Sequence, residues 1–113
     1  MFVLSKSESY SWPVKFSSPR DGGSFDQHSF DAKFKRVPQA RIDEMVKAIS
    51  NGEMKAKDLV REVLVGWSGI LLDNREEMPF SQEALERIVD VPMIADAISI
   101  SFFDSVTGAK RKN

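Results

Sequence analysis

The sequence predicts an α+β fold: an N-terminal β-hairpin or small antiparallel sheet followed by about four packed α-helices. Two observations carry that prediction. Apolar residues in the first third recur at every second position, which is the strand period. After Pro38 they recur three and four residues apart, which is the helical period. A third observation is punctuation: clusters of Gly, Pro, Asn, Asp and Ser fall where one period stops and the next begins.

Phe2 and Leu4 alternate with Val3 and Ser5, a short strand candidate. Tyr10, Trp12, Val14 and Phe16 then fall at period two. Pro13 lies among them; without an N–H it suits an edge or a strand start better than a central ladder position. Asp21-Gly22 is a good tight-turn pair, because glycine tolerates positive φ. His28, Phe30, Ala32 and Phe34 alternate with Ser29, Asp31, Lys33 and Lys35, as in a half-buried strand. A hairpin pairing 10–17 with 26–36 places both apolar sets on one face.

Ile42, Met45, Val46 and Ile49 make one helical stripe, and Asn51-Gly52 stops it. Leu59, Val60, Val63, Leu64 and Trp67 mark one face of a second helix, which Gly66-Trp67-Ser68-Gly69 closes. Ile70, Leu71 and Leu72 lead into a charged loop, Asp73 to Glu77. Ser81 is an N-cap for a third helix faced by Leu85, Ile88 and Val89, and Phe80 is placed to staple onto Leu85 or Ala84. Pro92 fits the first position of a fourth helix. That helix runs to about Val106 with Ile94, Ala97, Ile98, Ser101, Phe102 and Ser105 on one side. Ile100 and Phe103 fall off this stripe, so the helix is either buried on two sides or offers a second apolar surface. The chain reads as a single domain, 1–113: a β region at 1–37, a helical region at 38–108 and a basic tail at 109–113.

Composition narrows the classes. Of 113 residues, 42% are hydrophobic and 29% charged, enough for a core and a wet surface. There is no cysteine, so no disulfide, thiolate metal site or cysteine nucleophile. Lys and Arg number 16 against 17 Asp and Glu, which gives no basic face for nucleic acid. The local excess Lys110-Arg111-Lys112 reads as a solvated tail. No apolar run approaches a membrane span, and Met1 to Lys6 does not form a signal peptide.

The chemistry-bearing residues point away from catalysis. His28 is the one histidine, in phase with Phe30 and Phe34, and reads as structural on the apolar side of the sheet. A base needs an oriented partner and a nucleophile, and a zinc site needs more ligands than one histidine offers. Gly22-Gly23 is not followed by the lysine of a phosphate loop. Gly66-Trp67-Ser68-Gly69 has the wrong order for a nucleophile elbow. Asp73 to Glu77 lacks the spaced oxygens of a calcium loop. Neither a catalytic residue, a cofactor site nor a metal site is expected. Trp12 and Trp67 are expected as core anchors, with a partner contact as the other reading, since tryptophan concentrates binding energy at interfaces.

The ordered features resemble a known family. Phe34-Lys35-Arg36-Val37 passes into a helix; Val63-Leu64-Val65-Gly66-Trp67-Ser68-Gly69 follows; a polar loop leads to Met78-Pro79-Phe80-Ser81-Gln82-Glu83-Ala84-Leu85; the break Val91-Pro92 comes next; and the chain ends Gly108-Ala109-Lys110-Arg111-Lys112-Asn113. In order and spacing this resembles the tail assembly chaperones of long-tailed phages and prophages, over roughly residues 10 to 113. The resemblance implies a non-enzymatic assembly factor. It would bind the tape measure protein, keep it in solution and recruit tail tube subunits in the host cytoplasm, and it would be absent from the mature virion. Many members also exist as a longer frameshifted form. The family motif positions, carried onto Gly66, Trp67, Gly69, Pro79, Phe80 and Ser81, read as fold-defining.

A holdase needs apolar surface to cover a client's apolar stripe, and the helical half offers helix-in-groove contacts. Ile100, Phe102, Phe103 and Val106 are the candidate partner-binding residues, and such surface favours a homo-oligomer. The competing class is a structural tail or head–tail joining component of the virion. Those are typically β-rich with long loops, whereas two thirds of this chain reads as helical.

Overall fold

The computed structural model describes residues 1–4 and 7–108. The alternation read from the first third is realised in two long antiparallel strands, β1 (Ser9–Arg20) and β2 (Ser24–Lys35). Tyr10 faces Phe34, Trp12 faces Ala32, Val14 faces Phe30 and Phe16 faces His28. The turn between them is Asp21-Gly22-Gly23, with φ of 90° at Gly22 and 83° at Gly23, angles that a Cβ would strain. The apolar sets of both strands therefore lie on one face of the sheet, and the other face carries Lys15, Lys33 and Lys35 in solvent.

Two helices follow, α1 (Gln39–Ser50) and α2 (Ala56–Val63). α1 stops at Asn51-Gly52, with Gly52 at φ 77°. Only Ile42 and Met45 of its predicted stripe are buried; Val46 and Ile49 are 48% and 36% exposed. The helix rests on the body along a narrow seam, so its four-residue apolar stripe is wider than the surface it meets. One partly solvated ion pair supplements the buried Ile42 and Met45. Arg41 donates to both carboxylate oxygens of Glu62 on α2, at 2.8 and 2.7 Å. Arg61 does the same to Glu86, at 2.8 and 2.9 Å, fixing α2 to the next helix.

The second predicted helix is too long by one element. Leu64 and Trp67 leave α2 and belong to a third strand, β3 (Leu64–Ser68), which pairs antiparallel with β2. Leu64 and Trp67 are spaced three apart, which suits a helix. They also reach the same sheet face because a β-bulge makes Val65 the extra residue: Phe34 pairs with Leu64 but Lys33 pairs with Gly66. The sheet order is β1-β2-β3. Residues 1–4, read as a strand, lie outside any strand, with Phe2 84% and Leu4 80% exposed.

After β3 the chain doubles back through a small hairpin-like loop in which Leu72 donates to Glu76 and Met78 to Ile70, both at 2.8 Å. α3 (Gln82–Val89) starts as read: the Ser81 hydroxyl accepts from the Ala84 N–H at 3.0 Å. Phe80 packs edge-on against Trp67, ring centres 4.8 Å apart. Pro92 lies in the turn ahead of α4 (Ile94–Thr107) rather than in its first position. α4 crosses β1 and packs on α2 and α3. The result is an α+β fold with one sheet face covered by helices. The basic tail read at 109–113 lies outside the described residues.

The Arg41 hydrogen bonds, more than its charge alone, hold the Glu62 carboxyl below its ordinary value of 4.5, against opposing burial. A carboxyl lowered in the folded state stabilises the fold fully above that ordinary value, and the contribution disappears as pH falls through the lowered one. Glu62→Gln should therefore cost about 1 kcal/mol or less at neutral pH, since the pair is partly solvated. It should also flatten the acid limb of a stability profile. Urea unfolding of both proteins at stepped pH measures this; parallel acid limbs would remove Glu62 as a cause.

Candidate partner-binding groove

α4 is apolar around most of its circumference, and the sheet uses only part of it. Ile94, Ala95, Ile98 and Phe102 are buried. A second stripe, Met93, Ala97, Ile100 and Asp104, follows at spacings of three and four and flanks the buried face on the side toward the β1 edge. Opposite it run Trp12, Pro13, Lys15 and Phe16 of β1. Between the two lies an open groove of about 670 Å³, walled mainly by apolar groups. Ile100 is 56% and Met93 49% exposed there. Asp96 and Asp104 place acidic groups on the helical rim.

Met93 is held at φ 76°, an angle rare for a side chain of its size. Such strain persists only where the surroundings enforce it, and it gathers at binding sites. Here it turns the chain out of the Val91-Pro92 bend and points α4 along the groove.

The groove's other wall is an open sheet edge. Arg36 N–H donates to the Glu8 carbonyl at 2.9 Å, and by register these two residues lie opposite one another. Hydrogen-bonded pairs alternate along an antiparallel ladder, so Tyr10, Trp12, Val14 and Phe16 bond to β2. Ser9, Ser11, Pro13, Lys15, Ser17 and Pro19 turn their backbone groups outward. Both prolines thus stand where their missing N–H breaks no ladder bond, as Pro13 was read. Amides of Ser9, Ser11, Lys15 and Ser17 remain to bond an added strand.

The candidate residues divide. Ile100 lines the groove. Phe102 is fully buried against Phe34, ring centres 5.3 Å apart at 81°, so it is a core residue and offers nothing to a partner. Phe103 and Val106 are half-buried against that core, away from the groove lining. Trp12, Phe16, Met93 and Ala97 were not singled out as groove residues, although Trp12 carried a partner-contact reading. The in-phase aromatics of β1 and the helical stripe from Met93 were visible; that they face one another across more than half the chain was not.

The motif residues gather around β3 and α3. Trp67 is half-buried, and its indole N–H donates to the Met78 carbonyl at 2.8 Å. Gly66 sits opposite Lys33, and Gly69 takes φ 91° while its N–H donates to the Glu77 carboxylate at 3.1 Å. Pro79 is exposed ahead of the Ser81 cap. Trp67, Gly69, Phe80 and Ser81 make the contacts that fasten the β3–α3 connection.

His28 is exposed, in contrast to the apolar seat read for it. It lies on the apolar side of the sheet by register, but beyond the part the helices cover. Its Nε2 is 2.7 Å from Ser18 Oγ and its ring lies 4.9 Å from that of Phe16. A serine and a histidine at this distance begin a dyad, but catalysis also needs an orienting group on the histidine. Among the described residues Ser18 is the one hydrogen-bond partner of His28. The pair fastens the outer arm of the hairpin. Among the described residues no group of three or more His, Cys, Asp or Glu is placed to hold a metal ion, and no helix is long and apolar enough to cross a membrane.

Comparison of the chain with models of protein families, with curated proteins and with solved structures finds no match.

Gly69→Ala should destabilise by about 1–2 kcal/mol, because its φ is left-handed. The cost is conformational, since its Cβ would meet Phe30 Cα at an ordinary contact distance of 3.5 Å. Gly66→Ala should cost less, because its Cβ would meet the flexible Lys33 side chain at 3.3 Å. Trp67→Ala should cost about 3 kcal/mol, the low end for a truncated indole, given half-burial. Denaturant midpoints rank the three; a Gly66→Ala loss exceeding that of Gly69→Ala would contradict the backbone argument.

Proposed function

We propose that this chain is a non-enzymatic binding protein that seats an apolar segment of a partner protein in the β1–α4 groove, acting as a tail assembly chaperone of a long-tailed phage or prophage. The observation that carries the binding reading is the groove itself: half-exposed Ile100 and Met93 facing Trp12 and Phe16 along an open strand edge. Large apolar side chains held open to solvent and rimmed by polar groups mark contact sites. The acidic rim of Asp96 and Asp104 favours a segment with basic residues beside its apolar stripe.

The assembly role rests on the resemblance carried by Gly66 to Gly69 and Pro79 to Ser81. Under that reading the client is the tape measure protein. The groove covers part of its apolar length in the host cytoplasm, tail tube subunits replace the chaperone as they polymerise, and the chaperone does not enter the virion. A frameshifted longer form would carry the same groove.

Co-expression with the tape measure protein of the same genome tests this. Wild type should keep the client in solution and co-purify with it. Ile100→Glu should change stability by no more than about 1 kcal/mol, because the side chain is exposed and the added charge meets only Asp96 and Asp104 one turn away, yet should release the client. Phe102→Ala should cost about 3–5 kcal/mol, as a core truncation does. An Ile100→Glu protein that still solubilises the client would move the contact elsewhere, and a client insoluble with wild type would end the chaperone reading.

A further inference from the structure

We propose that the groove is closed by the N-terminal segment Met1–Leu4 of a second copy of this chain, added as a short strand along the open edge of β1. The inference rests on the groove being a protein-binding site, and it stands whether or not a client also uses it.

Two unpartnered apolar features of the same chain carry the argument. One is the groove. The other is residues 1–4, four consecutive apolar residues at 118%, 84%, 75% and 80% exposure. Four consecutive apolar side chains in water are unfavourable unless a partner covers them. Its side chains alternate, so Phe2 and Leu4 point to one side of an extended strand and Val3 to the other. Added to the β1 edge, Phe2 and Leu4 enter the groove over Phe16 and Ile100 while the backbone takes up the outward amides. The charges agree as well. Lys6 is the one charged side chain among the first seven residues, and the groove's helical rim carries Asp96 and Asp104.

The segment cannot serve its own groove. Ser7 accepts from Arg36 Nε at 3.2 Å and Glu8 is bonded to Arg36, so the chain is held against β2 from Ser7 onward. A reversal confined to residues 5 and 6 would set residue 4 beside 7 and residue 1 beside 10. The groove begins at Trp12 and runs to Ser17. Residues 1–4 reach it only from another molecule.

The absence of cysteine makes the test direct. Leu4→Cys and Ile100→Cys are made as separate proteins, mixed, and oxidised. Both sites are exposed, so both variants should fold. The expected result is a mixed disulfide dimer in clear excess over the two symmetric dimers. A mixed dimer no more abundant than random pairing gives would overturn the proposal. So would an intramolecular disulfide of monomer mass in the chain carrying both substitutions. Sedimentation supplies the second reading. Wild type should self-associate, and Phe2→Glu with Leu4→Glu should weaken that at least about tenfold with the thermal transition unchanged. A wild-type chain that stays monomeric at high concentration, or a dimer indifferent to these substitutions, would also overturn it. Loss of client binding with the mixed dimer intact would count against the chaperone reading and leave this one standing.

Discussion

Phe34 and Phe102 meet in the centre of the molecule, and most of the architecture is arranged around that contact. Phe34 belongs to the strand that has neighbours on both sides; Phe102 belongs to the last helix. Both are fully buried, with rings edge to face. Tyr10 joins on one side at 6.0 Å from Phe34, and its hydroxyl lies 2.7 Å from that of Ser105 on α4. Aromatic edge-to-face pairs fix orientation as well as depth. The contact therefore sets where α4 crosses the sheet and which of its faces is left over. A helix pinned at Phe102 and Ser105 presents Met93, Ala97 and Ile100 beside the edge of β1, where they line the groove.

The coverage of the sheet follows from the same constraint. β3 is short and pairs with β2 only from Asp31 to Phe34, beside the central contact. Beyond it the hairpin runs outward as two strands, and the apolar alternation ends in Phe16, His28 and Ser18 instead of large aliphatic groups. A two-stranded ribbon cannot bury a core. The cross-strand pairs Ser18–His28 and Arg20–Asp26 hold it instead, the latter at 3.0 Å. The groove forms at this boundary, where half-buried Trp12 and Phe16 meet the exposed Met93 and Ile100.

Much of the fold was legible because local and global preferences agree. Tyr10 to Phe16 and His28 to Phe34 alternate in strands that do bury one face. Ser81 is a cap that caps. Gly52 ends a helix with the angle glycine favours. The misreadings come from residues that satisfy two patterns. Leu64 and Trp67 continue the helical stripe of Leu59, Val60 and Val63, and the bulge at Val65 lets a strand use the same spacing; only tertiary pairing with Phe34 decides between them. Val46 and Ile49 extend a good stripe past the width of its seat. Phe102 and Phe103 were indistinguishable as neighbours until Phe34 selected one of them. The groove was the least legible feature, because it joins β1 to α4 from opposite ends of the chain and neither wall is unusual alone.

The edge of β1 shows how such a groove stays selective. An open strand edge accepts any extended chain unless something blocks it, and proteins block edges with proline and lysine. Pro13 and Pro19 remove outward amides at two points, and Lys15 stands between them. A long strand laid across Pro13 or Pro19 would place a carbonyl against a missing donor, and a buried acceptor left unpaired costs about 1–3 kcal/mol. Between the prolines two amides remain, Lys15 and Ser17, beside Phe16 and the mouth of the groove. A strand of four residues can meet both amides without crossing either proline. The edge that resists long, indiscriminate pairing therefore accepts a short apolar segment, and it fixes the register in which that segment's side chains reach Ile100.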